Sequence, residues 1–118
     1  VAAVSVREYT WVRACSSGFL VPDRGVAVLL PGGAQAALFR TGDGVLYAVG
    51  NIDPFTGAAV MSRGITGDRG GEPTVASPML KQVFSLRTGV CLDVEGVRLP
   101  VYAVRERGGR VEVAAEAV

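Results

Sequence analysis

Histidine is absent from this 118-residue sequence, and that absence excludes a wide range of chemistry. Without an imidazole there is no Ser–His or Cys–His nucleophile pair and no ordinary general base near neutral pH. Cysteine is scarce: Cys15 and Cys91 stand too far apart for a Cys-x-x-Cys redox or zinc pair. Cys91, between Val90 and Leu92 in a strand-like run, is expected to act as a small buried apolar residue. Lysine is nearly missing, since Lys81 is the only one among 12 basic residues. Against 11 acidic residues these leave a formal charge of +1, so no basic excess marks a nucleic-acid partner. Apolar runs such as Val26 to Leu30 fall far short of the ~20 residues of a membrane helix, and no membrane partner is expected. The opening Val-Ala-Ala-Val-Ser-Val-Arg lacks a basic stretch leading into a long apolar one. No secretory signal is therefore expected, and the expected location is cytoplasmic.

What the chain does have is apolar content, at 49% of residues, and turn chemistry at close intervals. The length fits one domain, residues 1–118. Strands are predicted at Tyr9 to Ala14, Val26 to Leu30, Ala34 to Arg40 and Val45 to Val49. The last two flank Thr41-Gly-Asp-Gly44, whose Asp-Gly step is a hairpin signal. Further strand signals cover Thr74 to Ala76, Val83 to Leu86, Val90 to Asp93, Leu99 to Arg107 and Arg110 to Ala114. Alternation in the final segment puts Val111 and Val113 on one face. No helical period holds over ten residues, so about nine short strands predict an antiparallel β sandwich or barrel. The glycines sit in hairpin turns, outside the strand-to-helix context of a dinucleotide fingerprint.

One region breaks the pattern. Residues 51–71 contain Pro54, Gly57, Gly64, Gly67, Gly70 and Gly71 and few strong strand formers. They read as a long loop with a helical turn near Ala58 to Ser62, and loops of that length in small domains are usually functional.

Two segments carry the most information: Asn51-Ile-Asp-Pro-Phe-Thr-Gly57 and Ala76-Ser-Pro-Met-Leu-Lys-Gln82, the latter running into Val83-Phe-Ser-Leu-Arg-Thr-Gly89. Together they resemble the two ligand loops of Rieske proteins, in which a Cys-x-His and a Cys-x-x-His loop hold a [2Fe–2S] cluster. The resemblance places Asp53 and Phe55 at the first Cys and His positions, and Ser77 and Leu80 at the second. Phe55 and Leu80 have no lone pair, and the hard oxygens of Asp53 and Ser77 suit a soft iron–sulfur core badly. The implied fold is a Rieske-like β sandwich whose inserted ligand-loop region, residues 51–93, carries no cluster and no metal.

With Ser62-Arg-Gly-Ile65, Gly67-Asp68, Cys91-Leu-Asp93 and Pro100-Val-Tyr-Ala-Val104 added, the sequence resembles the small subunits of assimilatory NAD(P)H-dependent nitrite reductases. The resemblance implies a non-catalytic accessory subunit with no catalytic residue or cofactor of its own. It implies a large-subunit partner bearing FAD, siroheme and [4Fe–4S] centres, which reduces nitrite to ammonium. A Rieske-type ferredoxin serving an oxygenase and a stand-alone small-molecule-binding β domain are the rival readings.

Phe55, Met79, Leu80 and Lys81 are the candidate partner-interface residues. The apolar members have two readings: an exposed docking tip, or a plug filling the space of a cluster. Asp53, Asp68 and Glu72 lack the ordered spacing of a calcium loop and are expected to be solvated. Lys81, Arg87 and Arg63 have two readings, a small basic rim for partner contact or ordinary surface charge, whereas Arg105, Glu106, Arg107, Arg110 and Glu112 read as a mixed-charge strand face.

Overall fold

The computed structural model describes residues 8–118, so the opening segment read for a secretory signal lies outside the described residues. Among the described residues ten strands form, all paired antiparallel: β1 (Trp11–Ser16), β2 (Val26–Leu29), β3 (Gln35–Arg40), β4 (Leu46–Gly50), β5 (Ile65–Arg69), β6 (Glu72–Ala76), β7 (Val83–Ser85), β8 (Val101–Tyr102), β9 (Val104–Arg107) and β10 (Arg110–Ala114). They make three sheets ordered β1-β10-β9, β2-β3-β4-β8 and β5-β6-β7. Helical structure among the described residues is limited to three 3-10 turns.

The layering follows from the two-residue period of a strand. Within β3 every residue of Ala36-Ala37-Leu38-Phe39 is buried, which requires cover on both faces. Ala36 and Leu38, with Ala48 of β4, pack into a first core that includes Val111 and Val113 of β10. Ala37 and Phe39, with Val49 of β4, pack into a second core that includes Met61, Val75, Phe84 and Leu86. The β2-β3-β4-β8 sheet is therefore the middle layer. The β1-β10-β9 sheet closes one side, and residues 51–99 close the other.

The all-β expectation holds, with four revisions. Residues 65–69, read as loop, form β5, which pairs with β6 from Ile65↔Ala76 to Arg69↔Glu72. Ile-Thr-Gly-Asp-Arg has weak strand propensity, and the strand exists because Gly70 and Gly71, at φ of 60° and 91°, close a two-residue hairpin turn. The helical turn lies at Met61–Arg63, at the end of its expected range. Leu99 to Arg107 is two strands, because Val101 and Tyr102 pair with β4 while Val104–Arg107 pair with β10. Conversely, Val90 to Asp93 contributes only the bridges Phe84↔Cys91 and Val90↔Arg98 before Asp93-Val-Glu-Gly96 turns the chain back.

Candidate functional site: two loops joined by a hydrogen bond

Two loops project beyond the second core. The first leaves β4 at Asn51, which is buried and uses both ends of its side-chain amide. Its Nδ2 donates to Gln35 Oε1 at 3.0 Å, and its Oδ1 accepts the Ser62 N–H at 2.7 Å. Its carbonyl accepts the Met61 N–H at 3.0 Å, so one residue holds both ends of the segment to β3. Asp53 then orders the apex: its Oδ1 accepts the Phe55 N–H at 2.8 Å, and its carbonyl accepts the Gly57 N–H at 2.7 Å.

The second loop joins β6 to β7. The Ser77 N–H donates to Gln82 O and the Lys81 N–H to Ser77 O, at 2.9 and 3.0 Å. Ser77 Oγ accepts the Met79 N–H at 3.2 Å, as Asp53 does for Phe55 in the other loop. Lys81 closes the turn at φ 64°, a left-handed conformation that glycine or asparagine normally supplies.

The loops meet at the two positions matched to cluster thiolates. Ser77 Oγ donates to Asp53 Oδ2 at 2.5 Å, and the two residues are 1% and 0% exposed. The positions matched to imidazoles diverge. Phe55 is half-buried against the second core, 6.2 Å from Phe84 between ring centroids, whereas Met79 and Leu80 are 51% and 59% exposed. The plug geometry thus belongs to Phe55, and the exposed tip to Met79, Leu80 and Lys81.

A [2Fe–2S] cluster does not fit these residues. Its site needs two thiolates and two imidazoles, whereas the loops offer a hydroxyl and a carboxylate bonded to each other, a phenyl ring and an isobutyl group. Cys91 is buried in the second core. Cys15 packs against the first, where burial pushes its thiol up from the ordinary range. Among the described residues no three metal-ligating side chains converge.

The remaining charged candidates disperse. Asp68 accepts the Gly71 N–H within the β5–β6 turn, and Glu72 receives the Ser85 hydroxyl and pairs with Arg87 at 2.7 Å. Arg87 is therefore committed to Glu72 and not to a rim with Lys81. A cleft of about 650 Å³ is bordered by Asp23, Asp43 and Asp68. Asp23 and Asp43 accept hydrogen bonds from Thr66 and Thr41. Asn51 and Ser85 were the residues sequence reasoning missed. Ser85 Oγ also accepts the Arg87 and Thr88 N–H groups, and the available signal was a polar residue at the end of an apolar strand.

Residues 10–114 match the family of Rieske-like [2Fe–2S] domains. The chain is similar to the NADH nitrite reductase small subunit of Salmonella typhimurium, at 38% identity over 104 residues covering 87% of this chain and 95% of the relative. It superposes on a crystal structure from Mycobacterium tuberculosis, described as an NADH-dependent nitrite reductase small subunit, with a TM-score of 0.89 and 56% identity. That match covers 95% of this chain and 100% of the other. It is also 40% identical over 103 residues to part of a nitrite reductase [NAD(P)H] large subunit from Klebsiella oxytoca, covering 87% of this chain and 11% of that protein.

Proposed function

Because this chain belongs to the Rieske-like [2Fe–2S] domain family and, within it, to the small subunits of NAD(P)H-dependent nitrite reductase, we propose that it acts by docking rather than by electron transfer. It is a non-catalytic cytoplasmic accessory subunit that binds a nitrite reductase large subunit through its loop tip and stabilises or orients it. FAD, siroheme and [4Fe–4S] centres belong to that partner.

The observation that carries this reading is the Ser77–Asp53 hydrogen bond. It joins the loops where a cluster would otherwise do so, and leaves Met79, Leu80 and Lys81 presented to solvent. Exposed apolar side chains beside one cation form a small interface core with a charged edge. The Klebsiella relative supports the association, because a stretch similar to this chain lies within a large subunit there.

Affinity capture of the tagged chain tests the proposal. The expected result is co-purification of a large flavin- and siroheme-containing subunit, lost with Leu80→Asp. Unchanged stability and turnover of the large subunit in cells lacking this chain would overturn it, as would iron and sulfide in the natively purified chain.

A further inference from the structure

The β1-β10-β9 sheet turns one face to the first core and the other to solvent, and its register assigns each side chain to a face. Directly paired residues of antiparallel strands share a face. Val12, Val104, Val111 and Val113 point inward. Trp11, Arg13, Arg105, Arg107, Arg110 and Glu112 point outward. Four arginines thus share this face with one glutamate, although the whole chain carries only +1.

The charges are not mutually neutralised. Arg105 Nε donates to Glu112 Oε1 at 2.8 Å, and its guanidinium stacks 4.2 Å above the Trp11 ring. Arg107 and Arg110, in contrast, stand directly opposite each other across the Gly108-Gly109 turn. Both are exposed, and neither has an ion-pair partner among the described residues. Like charges directly opposite on paired strands disfavour the fold unless an anion lies between them. With Arg105, Gly108 and Glu112 they border an open depression of about 520 Å³.

We propose that this face, centred on the Arg107–Arg110 pair, binds an acidic segment of a partner protein. Arginines two residues apart on a strand stand about 7 Å apart, and those on neighbouring strands about 5 Å apart. One anionic group can bridge Arg107 and Arg110, but the set extends on to Arg105 and Arg13, a spread that suits several carboxylates strung along a chain. Arg107 and Arg110 each take a carboxylate in a two-pronged pair, and Trp11 adds an aromatic border. The middle sheet and both cores separate this face from the loop tip. The surface is therefore distinct from the one proposed for the large subunit, and both can be occupied together.

Fluorescence titration of the full chain with a labelled oligoglutamate peptide tests the proposal, with tripolyphosphate and oligothymidylate as comparison ligands. Saturable peptide binding is expected, weakened about tenfold or more in R107A/R110A and by raising salt from about 0.05 to about 0.3 M. Melting of R107A/R110A no lower than the parent separates lost binding from lost folding, and R107Q alone, with a smaller loss, serves if the double variant fails to fold. Leu80→Asp should leave peptide binding unchanged, which distinguishes this surface from the tip. Equal peptide binding by parent and R107A/R110A would overturn the assignment. Tighter binding of tripolyphosphate or oligothymidylate than of the peptide would also overturn it.

Discussion

Ser77 and Asp53, 24 residues apart in the chain, meet in a buried 2.5 Å hydrogen bond at the positions where related domains place two cluster thiolates. A covalent inorganic link between two loops is replaced by a polar contact of their own side chains. The consequence is mechanical: the loops remain joined while the chain loses the ligands for electron transfer.

Removing the hydroxyl should be costly, because Asp53 Oδ2 is then left buried without that donor. Ser77→Ala is expected to lower unfolding free energy by about 1–3 kcal/mol in urea titrations. A double-mutant cycle with Asp53→Ala should return a coupling energy of about 0.5–3 kcal/mol, and strict additivity would count against the contact.

Phe55 and Leu80 should separate stability from binding. Phe55→Ala removes a half-buried ring packed on Phe84 and is expected to cost about 1–3 kcal/mol. Leu80→Asp alters a 59% exposed side chain and should change stability by no more than about 0.5 kcal/mol while abolishing capture of the large subunit. Equal losses of stability would show that both residues belong to the plug.

Lys81 holds a left-handed backbone with a side chain that disfavours it. Lys81→Gly relieves about 1–2 kcal/mol of local cost and adds about 0.4–1 kcal/mol of unfolded-chain entropy. The melting temperature should therefore hold or rise slightly, while large-subunit affinity falls through loss of the cation. Lys81→Arg should retain affinity.

Gly89 is fixed by space as well as by conformation. Its φ is 77°, and a Cβ there would lie 2.2 Å from the Leu99 carbonyl oxygen. Gly89→Ala is expected to cost about 3 kcal/mol or more, read as soluble yield and urea midpoint.

Acid should weaken the fold through specific carboxylates. The hydrogen bond from Arg87, then that from the Ser85 hydroxyl, holds Glu72 below its ordinary value. The Val83 N–H, then Arg69, does the same for Asp93. A carboxylate with a depressed folded-state pKa contributes stability that is present above its unfolded pKa. That contribution is lost as pH falls through the folded value. Urea midpoints should therefore decline below the usual carboxylate range, and Glu72→Gln with Asp93→Asn should flatten that decline and lower stability at neutral pH.

The β architecture was legible in the sequence because alternation and turn residues act locally. Arg110-Val-Glu-Val-Ala and the Thr41-Gly-Asp-Gly44 hairpin appear as their patterns require. β5 was not legible, because Ile65–Arg69 is exposed along most of its length and owes its pairing to the Gly70-Gly71 turn and to β6. The split of residues 99–107 was equally hidden, since one apolar run serves two sheets and only the partners β4 and β10 divide it.

The absence of histidine, by itself, decided that this chain cannot assemble a Rieske ligand set, because ligation needs lone pairs the side chains do not have. The spacing of Asp53-Pro-Phe55 and Ser77-Pro-Met-Leu80 marked where those ligands would have stood. The tertiary structure alone decided what replaced them. Hydrogen bonding between Asp53 and Ser77, the inward packing of Phe55 and the outward placement of Leu80 depend on how the two loops approach each other and the second core. Those are relations between distant segments, and local sequence does not encode them one residue at a time.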